Sequence, residues 1–307
     1  MTRVAIVGVT GYIGRSLLNE FFLEKDRFVV SLFSRSISKV EDLISTMPHA
    51  HTYECKNLND FSHGSYDVII NCTGVGDPSV LKKNPSSIFA ITEEMDALIL
   101  SYITKHQETL YINISSGAVY GSNTKDPITS STPAVVSFVE MTPYDYYAVA
   151  KINSEAKHRA MNNSHIVDLR VFAFFSSLVD QDSGFFMSEV ARAILNKKVL
   201  ITTDQDMVRD YSCPKDLFSL ISLVIKKKTV NDFFDVYSKA PVTKFEILDF
   251  CKKVYGLEYS IQKSEVATGI TKSYYSTNTK ALSLGYTPAF TSLEGIQTEM
   301  EKMLNKK

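Results

Sequence analysis

A chain of 307 residues that is 44% hydrophobic can bury the core of one large α/β domain or of two joined ones. Its net charge of −1 supplies no global attraction to nucleic acid or to a membrane surface, and the lysine run at 226–228 reads as a solvated helix end. Cys55, Cys72, Cys213 and Cys251 lie far apart, without metal-ligand spacing or a dense disulfide pattern, so reduced and mostly buried thiols are expected.

The N-terminus, MTRVAIVGVTGYIG, lacks a signal-peptide layout because its apolar run is short and breaks into glycines; with no later stretch of about 20 apolar residues, a cytoplasmic protein is expected. Val4 to Gly8 is an apolar run of strand length, and Gly8, Gly11 and Gly14 lead into the helical stretch RSLLNEFFLE. Strand, tight turn and helix in that order suit a pyrophosphate. Glycine lets the backbone approach it closely, and the free N–H groups and dipole of the helix start favour its charge. Gly8, Thr10, Gly11, Tyr12, Ile13 and Gly14 are therefore candidate cofactor contacts.

The second strand, within Arg27 to Ser36, ends in Ser34, Arg35 and Ser36. In a dinucleotide fold an acidic residue here accepts from the ribose 2′-OH, whereas an arginine accommodates a 2′-phosphate. Arg35 without a carboxylate predicts NADP(H) in preference to NAD(H). The pair His49 and His51 reads as incidental loop histidines, and no metal is expected.

Third and fourth strands are predicted in HTYECKNLND and YDVIINCTG, placing Asn57, Leu58, Cys72, Thr73 and Gly74 at strand ends where an open sheet binds ligands. Helical segments alternate with the strands. The fold class is therefore α/β, a doubly wound parallel sheet of Rossmann type.

The strand Leu110 to Ser116 ends in hydroxyls at the same edge, and after a polar loop Thr142 and Pro143 signal a helix start. On that helix Tyr147 and Lys151 are four residues apart and share a face, which Tyr144 and Tyr146 do not. A phenol ordinarily titrates near ~10, and an adjacent ammonium favours the phenolate, which suits a tyrosine to acid/base work. Ser116 is expected to orient the same tyrosine oxygen.

The glycine loop, a serine at a strand end and Y-x-x-x-K resemble, in that order, the short-chain dehydrogenase/reductase superfamily. SSGAVYG at 115–121, YAVAK at 147–151, VRDYSCPKDL at 208–217 and STNTKALSLGYTP at 276–288 resemble its extended branch, the NAD-dependent epimerase/dehydratase family, and its nucleotide-sugar enzymes. The resemblance implies that Ser116, Tyr147 and Lys151 handle a proton while nicotinamide handles hydride. It further implies that Phe172 lies beside the cofactor, that Ser116, Gly117, Ala118 and Arg209 meet a nucleotide-sugar substrate, and that the protein is a homodimer.

After Arg170 the rhythm changes to longer loops and helices; Thr243 with Glu246 forms a plausible capping box, and Gly256 a helix stop. Residues 1–170 are read as the dinucleotide-binding domain and 171–307 as mainly a substrate lobe, interwoven with the first. Arg209 is expected to pair with a substrate diphosphate, since guanidinium matches phosphate oxygens; the competing reading is a salt bridge with Asp210. Phe185, Phe186 and Tyr211 read as core aromatics.

Three reactions compete. In similar 4,6-dehydratases an aspartate and a glutamate follow the serine-equivalent residue; here those positions are Gly117 and Ala118, which removes the acid and base of elimination. Similar GDP-L-fucose synthases place a cysteine at the position of Ala118 and use a later histidine, but no histidine follows His165. Ala173 and Thr92 stand where the family commonly has asparagines, which leaves the sugar open. The expectation is NADPH-dependent reduction of a nucleotide-linked 4-keto-6-deoxy sugar. An NAD-dependent C4 epimerase and a non-catalytic NADP-binding redox sensor are the alternatives.

Overall fold

The computed structural model describes residues 1–45, 47, 53–121, 126–139, 141–263 and 273–305; the histidine pair at 49 and 51 lies outside them. Its first part alternates, as the apolar runs predict through β5: β1 (Thr2–Val7), α1 (Tyr12–Leu23), β2 (Phe28–Ser34), α2 (Ile37–Ser45), β3 (Glu54–Asn57), β4 (Val68–Asn71), α3 (Pro78–Lys83), α4 (Ser87–Lys105), β5 (Leu110–Ser116), α5 (Pro143–Ala160) and then β6 (Ile166–Val171), a strand not read from the sequence. The remainder holds β7 (Ala173–Phe174), α6 (Phe186–Asn196), β8 (Leu200–Thr203), β9 (Val208–Arg209), β10 (Tyr211–Ser212), α7 (Pro214–Lys227) and β11 (Asn231–Val236). It closes with β12 (Val242–Thr243), α8 (Lys244–Tyr255), β13 (Tyr259–Gln262), β14 (Ser273–Tyr274) and α9 (Ser292–Leu304).

Seven parallel strands form one sheet in the order β11-β6-β5-β4-β1-β2-β3. Their near-continuous apolar runs follow from burial on both faces. Alternate residues of β1 divide between the two layers: Val4 and Ile6 join Leu17, Leu18 and Phe21 of α1 and Leu217, Leu220 and Ile221 of α7, while Ala5 and Val7 join Met95, Ile99 and Tyr102 of α4. Phe21 meets Phe218 edge to face at 4.9 Å, which ties α7 back onto α1.

Chain order runs outward from β1 to β3, then returns to β4 on the other side of β1. Such a reversal opens a crevice at the carboxyl ends of the central strands. Register sets what faces it: Val7 pairs with Phe33 and Asn71, Ser34 with Asn57, and Asn71 with Asn113. Gly8, Arg35, Asn57, Cys72 and Ser116 consequently share one edge.

Helix α5 meets the sheet through a polar face. Lys151, Ser154, Glu155 and His158 are all buried along one helical stripe. Burial of such groups is costly unless each finds partners. Glu155 accepts from Ser115 Oγ at 2.6 Å and is paired with Arg170, and His158 lies between Asp96 and Asp168. At the helix start the Asp145 carboxylate accepts from the Thr142 N–H and hydroxyl, a capping box.

Among the described residues no helix is long and apolar enough to cross a membrane. The four cysteines are unpaired. Thr243 and Glu246 form the expected capping box, and Gly256 ends α8 with φ of 69°.

Candidate active site

The glycine turn after β1 is compressed. Gly8 has φ of 78°, and a Cβ there would stand 2.8 Å from the Thr73 nitrogen; a Cβ at Gly14 would stand 2.5 Å from the Gly8 carbonyl oxygen. No other residue type fits either position. The first turn of α1 carries no acidic residue, so its amides face the crevice uncompensated. Thr10 and Gly11 are exposed there, and Ile13 is half-buried. The Tyr12 side chain is engaged within the protein: its hydroxyl accepts from the Ser176 N–H at 2.8 Å and its ring meets Phe174 edge to face, fastening the helix start to the second half of the chain.

At the end of β4, Thr73 donates its N–H to Asn71 Oδ1 at 2.9 Å, while Thr73 Oγ1 is buried without a hydrogen-bond partner beside Gly8. Burial pushes the Cys72 thiol up to about 12, only partly offset by Lys151, so Cys72 is a neutral thiol beside the lysine. An orphaned hydroxyl and a turn that any Cβ would fill are what a nicotinamide dinucleotide's phosphates require, and these residues fit that group.

Past β2 the chain presents Ser34, Arg35 and Ser36 ahead of α2. Arg35 is exposed, Ser34 Oγ accepts from the Ser36 N–H at 3.1 Å, and no acidic residue occupies the first turn of α2. Asn57 closes this end by accepting from the Asn59 N–H at 2.9 Å, with Leu58 next to it against the α4 layer.

Tyr147 is half-buried and Lys151 is 2% exposed. Lys151 Nζ donates to the Ile114 carbonyl at 2.9 Å and lies 5.9 Å from the Tyr147 ring centroid. The loop after β4 passes beside both: a Cβ at Gly74 would stand 3.4 Å from Lys151 Nζ, and one at Gly76 would stand 3.7 Å from Tyr147 Oη. Gly76 was not legible as a site residue, because no spacing links it to Tyr147.

Ser116 departs from the sequence expectation. Its Oγ accepts from the Ala118 N–H at 3.1 Å and lies 3.2 Å from Tyr274 Oη; among the described residues no hydrogen bond joins it to Tyr147. Tyr274 comes from β14, beyond every motif read in the sequence. Behind Ser116, Gly117 leaves room for the Phe172 ring, which stacks with Tyr120 and tilts against Tyr274. The side chain of Phe172 is thus wall rather than lining. Ala118 is half-buried and adds no polar group.

Among the described residues no carboxylate pairs with Arg209. Asp210 accepts instead from the Ser238 N–H and the Ser292 hydroxyl, and Arg209 is left with the Val208 carbonyl and the face of Tyr274, 5.7 Å away. Burial lowers its pKa from the ordinary arginine value. A largely desolvated guanidinium with no anion beside it among the described residues is suited to receive one. Tyr211 is buried in the second core, and Phe185 tilts against Tyr12, as core aromatics would.

The sequence pattern of the NAD dependent epimerase/dehydratase family matches residues 4–237. The chain belongs to this family. It is of the extended short-chain dehydrogenase/reductase type, and the family is one of enzymes. No curated protein matches the chain by sequence. Among solved structures, it is similar to a UDP-N-acetylglucosamine 4-epimerase from Methanobrevibacter ruminantium M1 in complex with UDP-N-acetylmuramic acid, at 16% identity and a TM-score of 0.83 over 100% of this chain and 99% of that one. A UDP-glucuronic acid 4-epimerase from Bacillus cereus, as a mutant bound to a fluorinated UDP-sugar and NAD, gives 17% identity and 0.82 over 99% and 100%. A dTDP-glucose 4,6-dehydratase from Bacillus anthracis, bound to NAD, gives 16% identity and 0.79 over 100% and 97%. At these identities the likeness establishes the shared fold.

Proposed function

We propose that the protein is an NADPH-dependent reductase of the 4-keto group of a nucleotide-linked 6-deoxy sugar. The observation that carries this reading is the pair Gly117 and Ala118 directly after Ser116, two positions that offer no carboxylate or thiol for elimination or α-proton abstraction. Ser116, Tyr147 and Lys151 remain for carbonyl reduction. In this reading residues 1–170 serve mainly the cofactor and 171–307 mainly the sugar nucleotide, with Arg209 on the diphosphate.

A bound nicotinamide supplies the hydride. Tyr147 gives its hydroxyl proton to the oxygen at C4, and Lys151, held by the Ile114 carbonyl, keeps positive charge beside the tyrosine and meets ribose hydroxyls. Ser116 donates a hydrogen bond to the same substrate oxygen. Arg35, Ser34 and Ser36 at the start of α2 receive the 2′-phosphate of NADPH, since a guanidinium and an open helix start both favour it.

A second reading is NAD-dependent C4 epimerisation, favoured by the similar structures that hold NAD. The two separate on one assay: the purified protein is offered NADPH or NADH with UDP-, dTDP- and GDP-linked 4-keto-6-deoxyhexoses, and cofactor oxidation is followed by absorbance. Stoichiometric NADPH oxidation supports reduction; co-purified NAD with interconversion of C4 epimers and no net oxidation moves the assignment to epimerase. A homodimer through helices of the nucleotide domain belongs to the same proposal, and sedimentation of the purified chain tests it.

A further inference from the structure

The hydrogen bonds around Ser116 determine which role its hydroxyl can play. A serine hydroxyl has one proton to give and two lone pairs to receive. One lone pair takes the Ala118 N–H at 3.1 Å, and Tyr274 Oη lies 3.2 Å away on the same oxygen. Of two facing hydroxyls the phenol is the stronger acid and the poorer acceptor. Ser116 Oγ is also the acceptor within hydrogen-bond reach of Tyr274 Oη among the described residues. The tyrosine therefore donates, and burial, which raises its pKa, keeps that proton in place. Both lone pairs of Ser116 are then filled.

Tyr274 is held firmly enough to impose this. Strand β14 pairs in parallel with β9, and Tyr274 stands opposite Arg209 in register. Its ring lies under the Arg209 guanidinium and is tilted against Phe172, centroids 5.2 Å apart. One short sheet thus carries both the candidate diphosphate arginine and the partner of Ser116.

We propose that Tyr274 is a positioning residue that makes Ser116 an obligate hydrogen-bond donor, committing the site to polarise a carbonyl oxygen and leaving an alcohol's proton no acceptor at Ser116. This rests on the reductase reading. A ketone oxygen, and the oxyanion that grows on it as hydride arrives, need a donor at that point. Without the tyrosine, Ser116 can turn its proton toward an empty site and must be reoriented at each turnover.

The test uses the full chain saturated with NADPH and the panel of UDP-, dTDP- and GDP-linked 4-keto-6-deoxyhexoses. Tyr274→Phe keeps the ring against Phe172 and Arg209 and removes only the hydroxyl; the melting temperature checks the fold. It is expected to lower kcat at least about tenfold while the affinities for NADPH and for the free nucleoside diphosphate stay within about twofold. Ser116→Ala removes the acceptor instead, and in that background Tyr274→Phe should change kcat by less than about twofold. A Tyr274→Phe enzyme with wild-type kcat, or equal losses in both backgrounds, overturns the proposal while leaving the reductase reading intact. A wild-type protein that reduces no ketone of the panel overturns that reading, and the donor role with it.

Discussion

The Lys151 ammonium donates to the carbonyl of Ile114 at 2.9 Å, two residues before Ser116 on the same strand. One bond therefore sets α5, with Tyr147, against the strand end that carries the serine. Lys151→Met keeps the stem and removes the donor, leaving a buried carbonyl unpaired. The expected losses are roughly 1–3 kcal/mol of stability and about 10²-fold or more in turnover, read by denaturant unfolding and by NADPH oxidation.

Tyr147 brings its hydroxyl up to Gly76, where a Cβ would stand 3.7 Å away, at ordinary contact distance. Tyr147→Phe should cut turnover by about 10²–10⁴-fold and leave NADPH affinity within about twofold. Retained turnover would assign the proton to another group, and a protein acting only as a redox sensor would bind partners unchanged.

Arg35 is exposed at the end of β2, between Ser34 and Ser36, the residues proposed to receive the 2′-phosphate. Arg35→Ala should weaken NADPH by at least about tenfold, the worth of one charge-assisted pair, without changing NADH affinity. Fluorescence titration with both cofactors measures this. Equal affinities in the wild type would remove the assignment of NADP.

Gly14 has no space for a side chain, its Cβ position being 2.5 Å from the Gly8 carbonyl oxygen. Gly14→Ala must push α1 away from the turn. We expect a loss of about 1–3 kcal/mol in stability together with cofactor binding weakened by more than about tenfold. Unchanged cofactor affinity would mean that the phosphates lie elsewhere.

His158 supplies a pH dependence. Burial alone would lower its pKa, but hydrogen bonds to Asp168 at 2.9 Å and Asp96 at 2.7 Å outweigh it and raise the imidazole to about 9. Both acids are buried, with Lys157 on Asp96 and Arg159 on Asp168. The folded pKa lies above the unfolded value near ~6.5, so the protonated histidine stabilises fully below about pH 6.5, and this stability is lost as pH rises through about 9. Urea unfolding at the two ends of that window should differ by on the order of 2–3 kcal/mol, and His158→Leu should flatten the difference. A wild-type profile flat across the window would show the histidine to be neutral.

Local pattern made much of this protein legible. Val4 to Gly8 and the three glycines predict the first strand, turn and helix because a buried parallel strand needs continuous apolar residues and a compressed turn needs glycine. Tyr147 and Lys151 are visible as a pair because helical spacing alone puts them on one face. Thr142 followed by Pro143 is visible as a helix start, and the structure adds the capping box with Asp145.

Contacts between residues far apart in sequence were invisible to such reasoning. The serine was expected to meet Tyr147, yet it meets Tyr274, 158 residues away, because β14 pairs with β9 at the cleft. Arg209 turned out to be separate from Asp210 for the same reason: Ser238 and Ser292, brought in from two other segments, satisfy the aspartate. Periodicity and spacing act within one element, so the sequence by itself determined the first five strands, the glycine turn and the tyrosine–lysine helix, whereas β6 and β11 complete the sheet only in the tertiary structure. Hydrogen-bond partners across elements depend on strand register and on how the lobe docks. Only the tertiary structure decided that Ser116 lies against Tyr274 and that Arg209, among the described residues, has no carboxylate partner.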